Sequence, residues 1–313
     1  MQILKIYNSI QEYNPDQGAV VTLGTFDGVH FGHRKIIEKL VQSAREKKCE
    51  SLILTFFPHP RMVLKSAESI SLLNTIEERK CMLEKTGLDN LIVHPFDEEF
   101  ASLSPEEFVS KILADKFKVQ KIIIGHDHKF GKNRSADIND LIAFGKQYNF
   151  EVEQISAQEI AEISVSSTKI RSALAEGNIQ LANKYLGYHF FLTGAIVEGK
   201  KIGRTIGYPT ANLKIAVEYK IIPKTGVYIV SSFIFGKKVY GMMNIGTNPT
   251  VDGKELSIEI YFFDFKNDIY DEHLTVEILE RIRDEKRFAS LEHLKMQLAE
   301  DEKISREYLS ARS

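Results

Sequence analysis

The first half of the chain alternates short apolar runs with longer amphipathic segments. Between the first two runs, apolar residues recur every three or four positions from Ile36 to Ala44, the spacing of one helix face. Strands that alternate with helices predict a doubly wound α/β fold, in which helices cover a parallel sheet. The runs that we predict to be buried strands are Ala19–Gly24, Ser51–Phe56, Asn90–Pro95 and Lys121–Gly125.

The pattern changes near residue 187. The last strongly helical stretch ends at Gly187, and β-branched and aromatic runs follow from Phe190 to about Ile282. No helical pattern long enough for a crossover interrupts these runs, so the residues favour an antiparallel barrel or a sandwich. We therefore predict two domains, residues 1–186 and 187–313, because the length also exceeds that of a typical single domain.

A last amphipathic segment, SLEHLKMQLAEDEKISREYL, follows the β-rich region. Its apolar residues recur at helical spacing. The pattern predicts a closing helix with Leu291, Leu294, Leu298 and Ile304 as its buried residues.

Composition narrows the classes of partner and compartment. Lys plus Arg total 41 against 43 for Asp plus Glu, so a net charge of -2 does not indicate a nucleic-acid-binding protein. Cys49 and Cys81 belong to no CxxC pair or Cys/His cluster, which argues against a disulfide scaffold and a zinc site. No signal-peptide pattern or membrane-spanning run is visible. We expect a cytoplasmic protein that binds neither nucleic acid nor membrane, and we leave a homo-oligomer open.

The stretch GTFDGVHFGH, Gly24–His33, lies between the first apolar run and the first helix. Glycines let the backbone approach an anion, and the following helix offers unpaired N–H groups and the positive end of its dipole. Open α/β sheets bind ligands at this edge, so His30 and His33 are candidates for a phosphate site. A packed or solvated histidine pair is the alternative. A zinc site is a weaker rival, because no third ligand has suitable spacing.

A second polar stretch, SVSSTKIRSAL, Ser164–Leu174, opens another predicted helix. Its hydroxyls can cap the helix, while Lys169 and Arg171 lie in the first turn, where the dipole disfavours cations unless an anion is present. A capped helix with solvated charges explains the same residues.

In the β-rich half, GKKIGRTIGYPTANL ends in Thr210 and Asn212. A hydroxyl and an amide carbonyl are groups that Mg²⁺ and phosphates use, although such pairs also close turns. Glu259 interrupts the apolar strand LSIEIYFF. Its alternation with Ile258 and Ile260 favours a solvent-facing carboxylate, and the other reading is a carboxylate held for catalysis.

Taken in order, GTFDGVHFGH, TFFPHP, GHDHKFGKNR and SVSSTKIR resemble the adenylyltransferase module of the prokaryotic bifunctional riboflavin kinase/FAD synthetases. GYPTANL, NIGTNPTV and SIEIYFFDF resemble the riboflavin kinase fold, a small six-stranded antiparallel barrel. Family members phosphorylate riboflavin to FMN and then adenylylate FMN to FAD with release of pyrophosphate. The resemblance implies ATP as substrate and Mg²⁺ as cofactor, with riboflavin, FMN and FAD as substrates or products rather than prosthetic groups.

The resemblance also implies residue roles in the first domain. His30 and His33 would contact the ATP phosphates as catalytic residues. The whole nucleotide site would comprise Gly24, Phe26, Asp27, Gly28, His30, His33, Ser166, Ser167, Thr168 and Arg171. The flavin would contact Pro58, His59, Asp127, Phe130 and Asn133. One departure from the family pattern is Ala136, where we expected a glycine after KFG.

In the second domain the resemblance implies a separate ATP site. Its residues would be Gly199, Gly203, Arg204, Gly207, Tyr208, Pro209, Thr210 and Asn212. Thr210 and Asn212 would also bind Mg²⁺, and Glu259 would be the base for the riboflavin 5′-hydroxyl. Arg283 and Phe288 would lie beside the flavin.

Two other functions compete with this hypothesis. The first domain could adenylylate another phosphorylated acceptor, such as phosphopantetheine or a sugar alcohol phosphate, but the GYPTANL domain would supply FMN instead. A flavin-sensing module without turnover is expected to lack the charged and hydroxyl groups of these motifs. Those groups are all present in this chain.

Overall fold

The computed structural model describes residues 3–64, 70–125, 129–155, 165–199, 202–250 and 253–312. The chain divides by packing into two compact units, Met1–Ser167 and Thr168–Ser313. Within the described ranges, none of the helices combines the length and apolar character that a membrane span needs. The boundary between residues 186 and 187 stays a prediction of where an autonomous domain begins.

The first unit contains a parallel sheet, in the strand order β1-β4-β3-β2-β5-β6 among the described residues. Its strands are β1 Lys5–Tyr7, β2 Ala19–Leu23, β3 Glu50–Phe56, β4 Asn90–His94, β5 Val119–Ile124 and β6 Glu151–Gln154. The four predicted strands are confirmed as β2 to β5, which form the middle of the sheet. The sequence pattern did not indicate the two edge strands.

Helices cover both faces of this sheet. They are α1 Phe31–Lys47, α2 Pro60–Val63, α3 Ile76–Glu84, α4 Glu98–Ala101, α5 Pro105–Glu107, which continues as a π-helix over Phe108–Lys116, and α6 Ile138–Tyr148. Short 3₁₀ helices span Ile10–Glu12 and Lys132–Arg134. One buried cluster contains Leu40 and Leu83, and another contains Phe117 and Leu141. The doubly wound fold is therefore confirmed.

The second unit is built on a closed barrel, in the strand order β10-β11-β8-β7-β12-β9. The strands are β7 Phe191–Val197, β8 Ala211–Lys214, β9 Gly226–Ile234, β10 Lys237–Thr250, β11 Gly253–Phe262 and β12 His273–Arg283. All neighbouring strands with a printed register are antiparallel. Of the two architectures that the sequence left open, the barrel is correct. Closure removes the exposed strand edges that a sandwich would keep.

Four helices accompany the barrel in the described part of the chain. They are α7 Ser167–Glu176, α8 Ile179–Leu186, α9 Ile202–Thr205 and α10 Leu291–Ser310. In α8, the Asn183 side chain donates to the Ile278 carbonyl of β12 at 3.0 Å and accepts the Phe190 N–H at 2.7 Å. Leu174 of α7 accepts the Lys224 N–H at 3.0 Å. These bonds fix α7 and α8 within the second unit.

The predicted burial of the closing helix α10 is wrong. Leu291 is 55% exposed and Ile304 38% exposed, while Leu294 and Leu298 are only half-buried. The buried positions are Asp301 and Ser305. Asp301 is buried because the helix places it against the charged Arg283 of the barrel. The apolar periodicity of the helix does not reveal such a partner.

We predict that a fragment of residues 166–313 is more stable than one of residues 187–313. The longer fragment keeps α7 and α8, whose Ile170, Leu174, Ile179 and Leu186 are buried. Because each such side chain contributes about 1.5 to 3 kcal/mol on burial, the difference in unfolding free energy should reach about 3 kcal/mol or more. Urea titration of both fragments measures it. Equal stabilities would show that these helices are not part of the second folding unit.

Candidate active sites

The first candidate site lies where β2 ends and α1 begins. The loop between them folds sharply, with positive φ angles at Phe26 (48°), Gly28 (89°) and Val29 (33°). His30 is the N-cap of α1, and its Nδ1 accepts the His33 N–H at 3.4 Å. The His30 and His33 rings stack with centroids 3.6 Å apart and an interplanar angle of 15°. The loop thus brings both predicted histidines to the start of one helix.

The environment keeps His33 neutral. Burial chiefly, then His30 and the charge of Arg79, hold the pKa of His33 well below its usual range. Its Nδ1 has no hydrogen-bond partner among the described residues. A neutral imidazole with an open nitrogen, beside the N-terminal N–H groups of a 17-residue helix, is suited to hold an anion.

Asp27 ties this loop to the segment before α3. Its carboxylate accepts the Leu73 N–H at 2.9 and 3.1 Å and the Asn74 N–H at 3.2 Å. It also lies 3.7 Å from Nη2 of Arg79, and both side chains are 1% exposed. Ser167 donates its hydroxyl to the Asp27 carbonyl at 2.9 Å. These contacts tie the Asp27 carboxylate to the protein's own backbone and to Arg79.

The other residues of the predicted nucleotide site differ in exposure and in the unit to which they belong. Gly24 donates its N–H to Leu54 at 3.2 Å, and Ser166 is exposed. Thr168 and Arg171 lie in α7, within the second unit, where Thr168 is exposed and Arg171 half-buried. Their phosphate contacts stay predictions.

The predicted flavin residues of the first unit differ in burial. Pro58 is exposed, whereas His59 is buried and accepts the Arg61 N–H at 3.1 Å as the N-cap of α2. Phe130 is buried in the core, 6.0 Å from the Phe108 ring, and Asn133 is exposed. Asp127 lies outside the described residues. The flavin-binding role of all five stays a prediction.

Ala136, the departure from the family pattern, closes the loop that follows Phe130. The two residues exchange backbone hydrogen bonds of 3.1 and 3.2 Å, and Asp137 then caps α6 by accepting the Asn139 N–H at 2.7 Å. The loop is therefore built without the expected glycine.

The second candidate site is a cavity of about 280 Å³ on the outside of the barrel. The segment before β8, strands β9 to β12, the segment after β12 and helix α10 all line it. Six of the lining residues were predicted, namely Gly203, Tyr208, Thr210, Glu259, Arg283 and Phe288. The Gly203 carbonyl accepts the Tyr208 N–H at 2.8 Å. The Thr210 hydroxyl donates to Oε2 of Glu259 at 3.2 Å.

Strand register explains how Glu259 reaches this cavity. Glu259 pairs with Asn212 of β8 and Asn244 of β10, and residues paired across antiparallel strands project from the same face. The buried Ile258 and Ile260 alternate with Glu259 and face the other way. The predicted alternation is correct, but the outer face is covered here, so Glu259 is half-buried rather than open to solvent.

The backbone at Gly199 passes close to the side chain of Asn212. A Cβ atom at Gly199 would overlap the Asn212 side-chain amide, so a larger residue at this position would displace that amide. Gly207, with a φ of 90°, turns the chain back toward Tyr208. The glycines that the sequence analysis selected therefore shape the approach to Thr210 and Asn212.

A second cavity of about 480 Å³ lies on the other side of Thr210. Arg204, Pro209 and Thr210 line it, together with Lys266 and Tyr270. Arg204 donates from Nη2 to the Tyr270 hydroxyl at 3.2 Å. Because Thr210 borders both cavities, a group bound in one can meet a group bound in the other at this residue.

Four residues at these sites were missed by sequence reasoning. Arg79 and Asp301 lie far along the chain from the groups that they contact, and no local pattern marks them. Asn244 and Tyr261 line the 280 Å³ cavity on the face of Glu259. For Tyr261, the alternation of β11 was a usable signal, since it lies two residues after Glu259.

Comparison with known proteins decides between the competing functions. A family model described as FAD synthetase matches residues 12–169, and one described as riboflavin kinase matches residues 186–309. The Bifunctional riboflavin kinase/FMN adenylyltransferase of Escherichia coli (strain K12) is 36% identical over 297 residues, 94% of each chain. The protein of the same name from Listeria monocytogenes is 37% identical over 297 residues, again 94% of each chain.

The chain belongs to the bifunctional riboflavin kinase/FMN adenylyltransferase family. It is a transferase that phosphorylates riboflavin to FMN and adenylylates FMN to FAD, with ATP as the donor in both steps. The family and function that the motifs predicted are confirmed. A crystal structure from Streptococcus pneumoniae, described as a macrolide-efflux protein, has the same fold, with a TM-score of 0.86, 32% identity and coverage of 97% of this chain and 99% of that one.

We predict that His33 makes the first unit less stable in acid. Its pKa is lowered in the folded state, so below pH ~6.5 the unfolded chain binds a proton that the folded chain does not. The contribution of neutral His33 to the free energy of unfolding is therefore fully present above that pH. It falls as the pH drops, by up to about 1.4 kcal/mol per pH unit.

Urea titrations of the parent and of His33→Gln at pH 7 and 5.5 check this prediction. Burial also lowers the pKa of His94, but that group is present in both proteins, so the difference isolates His33. The variant should lose less stability on acidification. An unchanged loss would mean that His33 binds a proton in the folded protein as readily as in the unfolded chain.

Proposed function

We propose that the first site transfers the adenylyl group by positioning and charge stabilisation, without a protein nucleophile. The FMN phosphate oxygen attacks the α-phosphorus of ATP, and pyrophosphate leaves. The reaction needs two anions held together and the charge on the transferring group stabilised. The stacked His30 and His33 at the N-terminus of α1 support this role, because imidazole and backbone N–H groups can donate to the same phosphate.

In this proposal the buried Asp27 shapes the loop, and Ser166, Ser167, Thr168 and Arg171 bind phosphate oxygens. Asp27 supports the assignment because its contacts with Leu73 and Asn74 fix the backbone on which His30 is carried.

We predict that His30→Ala and His33→Ala each slow FAD formation from FMN by about two or more orders of magnitude, the scale of losing a preorganised donor. Phosphorylation of riboflavin should stay near the parent rate, and that second activity serves as the internal control. Chromatographic separation of the flavins measures both. FAD formation at the parent rate would contradict the phosphate-site assignment.

For the second site we propose that Glu259 is the general base. It would accept the proton of the riboflavin 5′-hydroxyl while that oxygen attacks the γ-phosphorus of ATP and ADP leaves. The observation that carries this proposal is the 3.2 Å bond from Thr210 to Oε2 of Glu259, in the wall of a cavity. It leaves Oε1 of the carboxylate as the acceptor for a substrate proton.

The two cavities of this unit suit the two substrates. Aromatic and apolar groups line the 280 Å³ cavity, including Tyr208, Tyr261 and Phe288, which fits the flavin. Arg204 and Lys266 line the 480 Å³ cavity, which fits the charged nucleotide. We place riboflavin in the first and ATP in the second, so that the hydroxyl and the γ-phosphate meet at Thr210.

Mg²⁺ fits beside Thr210 and Asn212. No group of three or more His, Cys, Asp or Glu side chains in the described ranges could hold a metal, so the ligands must include other oxygens. The Thr210 hydroxyl directs its proton to Glu259, which leaves its lone pairs for a hard cation, and the Asn212 side-chain carbonyl would be a second oxygen ligand. Bound Mg²⁺ would neutralise phosphate charge, and the other roles described here belong to the protein's side chains.

The finer features of the protein are also proposals. We propose a cytoplasmic enzyme with Mg²⁺ as cofactor, small-molecule substrates and no nucleic-acid partner, whose state of homo-oligomerisation is left open. Residues 1–186 would form the adenylyltransferase domain and residues 187–313 the riboflavin kinase domain. The two family matches, residues 12–169 and 186–309, support this division.

We predict that Glu259→Gln lowers the kcat of riboflavin phosphorylation by about 10²- to 10⁴-fold, because it keeps the size of the side chain but removes the proton acceptor. Adenylylation of added FMN should not change. The matched control is Glu277→Gln, another half-buried barrel carboxylate, which accepts a hydrogen bond from Ser231 and lies outside both cavities. If Glu259→Gln phosphorylated riboflavin as fast as this control, the base assignment would fail.

A further inference from the structure

Arg283, which lines the 280 Å³ cavity, is held by an aspartate of the closing helix α10. Its Nε lies 2.9 and 3.1 Å from the two oxygens of Asp301, and its Nη2 lies 2.6 Å from Oδ2. Nη1 donates to the Asp284 carbonyl at 3.0 Å. This is the two-point geometry that gives an arginine–carboxylate pair a fixed orientation as well as strength.

Asp301 is fully buried, at 0% exposure, and the Arg283 side chain is 14% exposed. Two further residues of the helix bind Asp301. Gln297 donates to its side-chain Oδ1 at 3.0 Å, and the Ser305 hydroxyl donates to its backbone carbonyl at 2.7 Å. A buried ion pair is weak evidence for stability, because apolar residues of similar volume often do as well. Anchoring the helix is therefore not a sufficient explanation for the presence of this ion pair.

The geometry of Arg283 supplies that reason. A guanidinium has five N–H groups, and the bonds to Asp301 and Asp284 use only three of them within the described part of the chain. The group lies 5.9 Å from the ring of Phe288, which lines the same cavity. Arg283 is thus held against an aromatic wall, with donors left for a polar group in the cavity.

Glu302, which follows Asp301 in α10, affects a second residue of the cavity, Tyr208. Burial and then the Glu302 carboxylate raise the pKa of Tyr208, which lines the cavity beside Thr210. Leu294 and Leu298 of the same helix also line the cavity. The closing helix therefore supplies part of the cavity wall and holds Arg283, another residue of that wall.

We propose that Asp301 is a positioning residue of the riboflavin kinase site, which fixes the Arg283 guanidinium so that its remaining N–H groups bind riboflavin. This inference rests on the proposed placement of riboflavin in the 280 Å³ cavity. It assigns to α10 a role in substrate affinity, in addition to its packing.

The test is steady-state phosphorylation of riboflavin by the full chain at saturating ATP. Asp301→Asn replaces one carboxylate oxygen by an NH₂ group that faces the N–H groups of Arg283, so the two-point contact between the side chains is lost. We expect the KM for riboflavin to rise by about tenfold or more, the scale of a charged hydrogen bond, while kcat stays within about threefold. Arg283→Gln should raise the KM similarly, and the double variant should be no worse than Arg283→Gln alone.

Asp264→Asn is the matched control. Asp264 pairs with Arg306 of the same helix at 2.9 Å, but it is 79% exposed and lines neither substrate cavity. The control should keep the parent KM. If it raised the KM as much as Asp301→Asn, helix anchoring would explain the effect and the proposal would be overturned.

The other outcomes separate this inference from the proposed function. A raised KM in Arg283→Gln with a parent KM in Asp301→Asn would overturn the role of Asp301 and leave the riboflavin cavity in place. A parent KM in both would remove the cavity assignment as well. If Asp301→Asn failed to fold, Asp301→Glu decides, because it keeps Arg283 and the negative charge but displaces the carboxylate by one methylene: a raised KM supports the proposal and a parent KM contradicts it.

Discussion

A charge removed from water must be matched by a partner, and each candidate site contains an aspartate–arginine pair with a buried carboxylate. In the first unit Asp27 and Arg79 are each 1% exposed, and the same carboxylate holds the loop that carries the histidines. In the second unit Asp301 is fully buried against Arg283, which lines a cavity. In both cases a segment distant in sequence sets the position of a site residue. The loops alone do not define the sites.

The middle of each fold could be predicted from sequence because burial on both faces leaves a clear apolar pattern. Strands β2 to β5 are apolar throughout or nearly so, and their bounds were predicted to within two residues. The edge strand β6 is polar and partly exposed, so it resembles a loop. The four-residue β8 begins inside GYPTANL, directly after turn-forming residues that conceal it. The closing helix α10 was placed correctly, but its buried side was not.

Local motifs selected candidate site residues that lie within one segment, but not the charged residues that contact them from other segments. His30 and His33 were found because a glycine-rich loop before a helix is itself informative. For Glu259, alternation gave the correct face of β11, but it could not show that Tyr208 and α10 cover that face. Arg79 and Asp301 were missed because a charge that pairs over long sequence distances leaves no periodic signal.

The two sites use different chemistry within one chain. The first candidate site combines the His33 imidazole, whose pKa burial holds well below its usual range, with helix N–H groups that can donate to a phosphate. The kinase site places a carboxylate beside a hydroxyl, an arrangement that can remove a proton from an alcohol. Since the product of the second site is the acceptor of the first, FMN links the two steps.

Mixing two single-site variants tests this division of labour most directly. His33→Ala and Glu259→Gln proteins are each supplied with riboflavin, ATP and Mg²⁺, alone and in equal mixture, and the flavins are separated by chromatography. We expect FMN without FAD from the first protein and little of either from the second. The mixture should make FAD, because FMN released by one protein is adenylylated by the other. Absence of FAD from the mixture, with both proteins folded, would contradict two separate sites connected by free FMN.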